Sequence, residues 1–129
     1  MAFLEVGKWH DVWSKKFILT CVNNNKHMLR LIISSIPELS KLLRFLGNEQ
    51  RLSILKAISV QEKYAREISE ELGISRPLVN IYLKQFEKLG LVTGRSEVSE
   101  ESPYFKRYYK SVPFELVVSL EVIQNMKEE

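Results

Sequence analysis

The sequence predicts a mainly helical fold that carries a small β-wing, an α+β arrangement, and three observations predict it. Residues 65–90 pattern as two amphipathic helices on either side of a glycine. Residues 91–110 change from a helical period to a period of two and are rich in β-formers. Residues 37–58 hold two further helical stripes of apolar side chains. These define a central domain of residues 35–112, with residues 1–34 expected as an N-terminal arm and residues 113–129 as a C-terminal helix.

The arm carries two competing patterns. Trp9, Val12, Trp13 and Phe17 fall at helical spacing, whereas the apolar runs 17–22 and 28–33, separated by Asn23, Asn24 and Asn25, have the pattern of a hairpin. Acidic residues and two tryptophans interrupt any signal-peptide core, and no small-residue cleavage site follows. Every element of the central domain lies after Met28, so the residues ahead of it are expected to be dispensable for folding.

Pro37 suits the first turn of a helix, where its missing N–H is not needed, and Leu39, Leu42, Leu43 and Leu46 follow at i, i+3, i+4 and i+7 before Gly47. Asn48 is a good cap for the next helix, residues 49–58, with Leu52, Leu55 and Ile58 expected inward and Ile54 at the edge. A polar connection follows, with room for a short strand at Lys63 and Tyr64.

In residues 65–72, Ala65, Ile68 and Leu72 share one face and Arg66, Glu67, Glu70 and Glu71 the other. Gly73 stands where a helix ends with φ > 0, Ile74 can tuck between the helices, Ser75 is a good N-cap and Pro77 lies in the first turn of the next helix. The small Ser69 precedes Gly73 by four residues and Val79 follows it by six, so the two helices can cross closely. This is helix-turn-helix spacing. The second helix separates into a packing face, Val79, Tyr82, Leu83, Phe86 and Leu89, and an outward face, Pro77, Asn80, Ile81, Lys84 and Lys88, with Arg76 at its exposed start.

After Gly90, residues 91–98 and 103–110 read as a β-hairpin around a polar loop, a wing packed on the second helix. Lys106, Arg107 and Lys110 are interleaved with Tyr104, Phe105, Tyr108 and Tyr109, and one side of such a ribbon can meet phosphate while the other is buried. Glu100 and Glu101 at the tip disfavour deep insertion into a groove. Residues 113–126 spread Phe114, Leu116, Val117, Val118, Leu120, Val122, Ile123 and Met126 around the circumference of an expected helix, which would need cover on all sides.

At 129 residues with 45% hydrophobic and 27% charged residues, the composition is that of a globular protein, and no apolar run approaches a bilayer span. A formal charge of +3 admits nucleic acid as a partner without requiring it. Cys21 is the only cysteine, which excludes an intrachain disulfide and fits a reducing cytoplasm; with His10 and His27 it makes no pair at metal-ligand spacing. No Gly-rich phosphate loop or nucleophile–base pairing marks an enzyme.

In their order, and in the segments LGNEQRLSILKAI (46–58), EISEELGISRPLVNIYLKQFEKLGLV (67–92) and RYYKSV (107–112), residues 37–112 resemble the winged helix-turn-helix transcriptional regulators of the ArsR type. The metal-sensing cysteine motif of that family has no counterpart at Ala65, Arg66, Glu67 and Ile68, so metal sensing is not implied. The resemblance implies base reading by Ser75, Arg76, Pro77, Leu78, Asn80 and Ile81, with Tyr82 near the DNA backbone. Leu78 and Ile81 stand where the family often has polar residues, which brings contact with thymine methyl groups into view.

The expected function is that of a cytoplasmic, dimeric, sequence-specific regulator binding double-stranded DNA at an inverted repeat, with no cofactor. Arg76 and Asn80 are expected to read bases, Ser75, Lys84, Lys88 and Arg95 to position the helix, and Lys106, Arg107 and Lys110 to meet flanking phosphates. The expected dimer surface joins Leu39, Leu42, Leu43 and Leu46 with Leu116, Val118, Leu120, Val122 and Ile123. The alternative is a winged helix used as a protein-interaction module, with a partner on Leu78, Ile81 and Gln85.

Overall fold

The computed structural model describes residues 3–5, 17–23, 26–31, 33–98 and 105–128. Helices α1 (Ile36–Leu46), α2 (Glu49–Val60), α3 (Ala65–Leu72), α4 (Arg76–Leu89) and α5 (Leu120–Gln124) are interspersed with strands β1 (Phe3–Glu5), β2 (Phe17–Asn23), β3 (Lys26–Leu31), β4 (Lys63–Tyr64), β5 (Val92–Val98), β6 (Phe105–Ser111) and β7 (Phe114–Leu116). They divide into two compact units, one spanning Asn48–Val112 and the other made of Met1–Gly47 with Pro113–Glu129. Helix α1, expected within the central domain, thus groups with the chain ends.

In the unit Asn48–Val112, α2 starts where the Asn48 side chain accepts a hydrogen bond from the Arg51 N–H at 3.1 Å. Its buried residues are Ile54, Leu55 and Ile58, whereas Leu52 is 48% exposed. The expectation that Leu52 faces inward is therefore reversed with Ile54. The two positions lie about 200° apart around a helix, so only one can face the core, and packing on both α3 and the sheet selects Ile54.

The start of α3 is held by the Glu67 carboxylate, which accepts the Tyr64 N–H at 3.2 Å. Its end is set by Gly73, in the left-handed region at φ 67°, whose N–H donates to the Ser69 carbonyl at 2.9 Å. The Ser69 hydroxyl donates to the Ile74 carbonyl at 2.6 Å, so the small residue both admits the turn and ties it. Helix α4 begins one residue after Ser75 and ends at Gly90, also at φ 67°. Its inner face, Val79, Tyr82, Leu83, Phe86 and Leu89, is buried together with Ile68, Ile74, Leu91 and Val92.

Strands β4, β6 and β5 form a three-stranded antiparallel sheet in that order. Val92 lies opposite Ser111 and Val98 opposite Phe105, so the ribbon leads directly out of α4. The Ser111 hydroxyl donates to the Leu55 carbonyl at 2.7 Å and the Val112 N–H to the Leu91 carbonyl at 2.8 Å, which fasten the base of the wing. Glu100, Glu101 and Tyr104 lie outside the described residues.

The other unit contains a four-stranded sheet in the order β1, β2, β3, β7. Strands β2 and β3 are antiparallel, with Phe17 opposite Leu31 and Cys21 opposite His27, and β3 pairs in parallel with β7 through Leu29, Arg30 and Leu31 against Phe114, Glu115 and Leu116. Phe17 is therefore in a strand; Trp9, Val12 and Trp13 lie outside the described residues. Ahead of Met28, β2 is the antiparallel neighbour of β3 and β1 pairs in turn with β2, so the hairpin pattern of residues 17–31 is the one that forms.

The continuous helix expected over residues 113–126 does not form. Phe114–Leu116 is β7, and the helix is confined to the five residues of α5, which begins where the Ser119 hydroxyl accepts the Val122 N–H at 3.2 Å. The cause is that Phe114, Glu115 and Leu116 alternate apolar and charged, which suits a strand, and the edge of β3 offers them backbone partners. Within α1, Leu39 and Leu42 are buried while Leu43 is exposed. Gly47 closes α1 without a positive φ, but a Cβ there would lie 2.9 Å from the Leu43 carbonyl oxygen, so the close approach requires glycine.

The turn between α3 and α4 yields a direct expectation. A Cβ at Gly73 would meet no atom within 4 Å, so Gly73→Ala is penalised only by its left-handed backbone, about 1–2 kcal/mol. Urea unfolding should show that loss, with a smaller one for Gly73→Asn; a neutral alanine substitution would contradict the conformational role of this residue.

Candidate nucleic-acid interface

With one face of α4 buried, the opposite face is free. Ser75, Arg76, Pro77, Asn80, Ile81, Lys84 and Lys88 are exposed and Leu78 is half-buried. Ser75 occupies the N-cap position, yet its hydroxyl makes no capping bond. Arg76, Asn80, Lys84 and Lys88 make no side-chain hydrogen bond or ion pair among the described residues. Three cations, an amide and a hydroxyl are thus available along one side of a fourteen-residue helix.

Tyr82 is not part of that face. It is only 8% exposed, with its hydroxyl 3.4 Å from Gln50 Oε1 and the Arg51 guanidinium 4.9 Å from the centre of its ring. The expected position near a DNA backbone is replaced by a packing role between α2 and α4. The periodicity of α4 already put Tyr82 on the inner face.

The wing departs further from expectation. The Arg95 guanidinium meets the Glu62 carboxylate, with Nε 3.0 Å from both oxygens, and reaches Glu97 at 2.9 Å. One guanidinium here faces two carboxylates, and the Lys110 ammonium also acts on Glu62. Hydrogen bonding from Arg95 holds the Glu62 carboxyl below the usual glutamate range, and the two carboxylates push the Arg95 guanidinium higher still. The guanidinium also stacks over the Tyr108 ring at 5.0 Å.

Arg107 is likewise committed. Its Nη2 lies 3.0 Å from Glu87 on α4 and its Nη1 3.2 Å from the Ser96 hydroxyl on β5, so it ties the wing to the second helix of the helix-turn-helix. Gly94 makes room for it, because a Cβ at that position would lie 2.8 Å from three atoms of the guanidinium. The wing cations that remain exposed without an ion pair among the described residues are Lys106, whose ammonium sits 4.6 Å from the Tyr64 ring, and Lys110.

The sequence reading missed Glu62, Glu87, Glu97 and Gly94. Only Glu97 carried a signal, being two residues from Arg95 on the same face of a strand. Among the described residues no group of three or more His, Cys, Asp or Glu side chains is gathered in metal-binding fashion.

A helix-turn-helix with a basic, unpaired outer face and a β-ribbon following it defines the winged helix-turn-helix class of transcriptional regulators. Residues 48–93 match the family model for the bacterial regulatory protein, arsR family. The chain is 34% identical over 83 residues to an uncharacterized HTH-type transcriptional regulator of Methanocaldococcus jannaschii, covering 64% of this chain and 85% of that protein. Among solved structures it is similar to reduced HlyU from Vibrio cholerae, with 26% identity, 68% of this chain and 80% of that chain covered, and a TM-score of 0.48. It is also similar to a homodimeric winged helix-turn-helix DNA-binding domain from Mycobacterium bovis, a possible ArsR-family regulator, at 20% identity, 69% and 71% coverage and a TM-score of 0.48. The chain belongs with the HTH-type transcriptional regulators, and its residues 48–93 match the arsR-family domain.

Two measurements check the wing geometry. The Glu62–Arg95 pairing is present at neutral pH and is lost as pH falls through the lowered Glu62 value, so the side-chain carbon of Glu62 should titrate below the ordinary glutamate range and return toward it in Arg95→Gln; an unmoved midpoint would contradict the pairing. In Gly94→Ala the added methyl should displace the end of Arg107 rather than the backbone. Unfolding free energy should then stay within about 1 kcal/mol of wild type while the Arg107 Nε resonance moves as it does in Glu87→Gln.

Proposed function

We propose that the protein regulates transcription by reading an inverted-repeat DNA site as a homodimer, inserting α4 of each copy into the major groove. The observation that carries this is the outer face of α4, where Arg76, Asn80, Lys84 and Lys88 are exposed and uncommitted. Arg76 suits guanine O6 and N7, and Asn80 suits adenine N6 and N7, each in a bidentate pair. Lys84 and Lys88 lie further along the same side and reach phosphates, as does Ser75 at the helix start through its uncapped hydroxyl. On the wing, Lys106 and Lys110 supply the phosphate contacts. Arg95 and Arg107 instead set the position of the ribbon, because a phosphate approaching Arg95 also meets Glu62 and Glu97.

The dimer is supported by where apolar surface is left over. Ile36, Leu43, Val117, Val118, Leu120 and Ile123 are all exposed, Leu120 at 72%, and all belong to the unit formed by the two chain ends. Backbone hydrogen bonds from Ile36 to Lys127 and from Lys127 to Ser34 join those ends. Covering such surface with a second copy removes an aggregation hazard. Leu39 and Leu42 contribute nothing to it, being buried in the single chain, whereas Leu46, Leu116 and Val122 stay at its margin. Two helices α4 in a two-fold dimer read half-sites whose centres lie about 10–10.5 bp apart, or a multiple of that. No helix among the described residues is long and apolar enough to cross a membrane, which is compatible with a cytoplasmic regulator.

Selection of duplexes from a random-sequence pool tests the reading. Arg76→Ala and Asn80→Ala should each cost on the order of 1–3 kcal/mol on the selected site and relax preference at particular base pairs, whereas Lys84→Ala should weaken all duplexes alike. Equal losses on selected and random DNA for all three would sink the assignment. Val118→Glu with Leu120→Glu should yield a monomer by sedimentation equilibrium that retains its helix content and loses most affinity for the repeat. A wild-type protein that is monomeric at micromolar concentration and holds a single half-site as tightly as the repeat would overturn the dimer.

A further inference from the structure

Ile81 is 51% exposed in the middle of α4, and the core of its unit does not use it. Pro77 lies four residues before it and Leu78 three before, so the three form a short apolar strip along the outer side of the helix. Arg76, Asn80 and Lys84 border that strip and are themselves exposed. A single exposed isoleucine on a protein surface is ordinary. One placed among exposed polar groups that have no partners is less so, and its β-branch makes it a poorer helix former than lysine, glutamine or alanine. Neither packing nor helix propensity accounts for the residue.

The major groove offers Ile81 one apolar feature. Guanine, adenine and cytosine edges present hydrogen-bond donors and acceptors there, and only thymine adds a methyl group. An isoleucine against guanine O6 or cytosine N4 would strip water from a polar atom and return no hydrogen bond. Against a thymine methyl it removes apolar surface from water on both sides. We infer that Ile81, with Leu78 and Pro77 beside it, seats a thymine 5-methyl group, so that the half-site has an A·T pair opposite the middle of α4. The neighbouring Asn80, suited to adenine, gives the same composition to the centre of the half-site. This inference rests on α4 being the base-reading surface.

The test uses the full-length protein and duplexes recovered from a random-sequence pool. Each thymine is replaced in turn by deoxyuridine, which removes the methyl group and leaves every hydrogen-bonding atom in place. One or two positions per half-site should lose roughly three- to tenfold in affinity. That loss should vanish in Ile81→Ala, whose helix content is checked by circular dichroism, because methyl and side chain are two arms of one double-mutant cycle. If uracil is silent at every position, or its penalty survives in Ile81→Ala, the inference is overturned while sequence-specific binding stands. If no sequence is enriched from the pool at all, the base-reading function falls and the inference with it.

Discussion

Everything that α4 presents outward depends on how completely its other side is buried. Val79, Leu83 and Phe86 have no exposed surface, and Tyr82 and Leu89 have little. Truncating any one of the large members of that set would cost about 2–5 kcal/mol, comparable with the whole stability of a small domain. The helix therefore has one available rotation about its axis. Gly73 and the Ser69 hydroxyl add the second constraint, since they fix where α4 starts relative to α3. With rotation and start point both set by packing, the polar groups of the outer face need make no contact within the protein.

The wing shows the opposite use of charge. Its two arginines are spent on carboxylates of the same unit, Arg95 on Glu62 and Glu97 and Arg107 on Glu87. Exposed ion pairs of this kind are screened by water and add little to stability, so their value lies in placement. Arg107 joins β6 to α4 across Gly94, and Glu62 joins the connection after α2 to β5 through Arg95. Lys106 and Lys110 are exposed and make no ion pair among the described residues.

The helix-turn-helix was legible in the sequence because every signal agreed. The inner face of α4 was apparent from its period, and both Gly73 and Gly90 stand at positive φ where the pattern stops. The residues that went astray are those where two structures share one pattern. Leu52 and Ile54 are both apolar on a helix whose stripe is weak, and only packing chooses between them. Residues 114–118, with Glu115 among four apolar residues, fit a strand as well as a helix, and β3 captures the first three as a strand. The ion pairs were illegible for a different reason: Glu62 and Arg95 are 33 residues apart and Arg107 and Glu87 are 20 apart, so nothing local predicts their meeting. Arg95, expected from sequence to position the helix, and Arg107, expected on a flanking phosphate, both make ion pairs within the protein.

On the proposed reading, phosphate is neutralised by the lysines of α4 together with those of the wing, and not by the paired arginines Arg95 and Arg107. The salt dependence of binding to a selected duplex tests it most directly, because each phosphate contact contributes about 0.9 to the slope of log affinity against log salt. Lys84→Ala combined with Lys88→Ala should make that slope shallower by roughly 1.8. Arg95→Gln combined with Arg107→Gln should weaken binding while leaving the slope unchanged. A slope insensitive to the lysines and reduced by loss of the arginines would contradict the account.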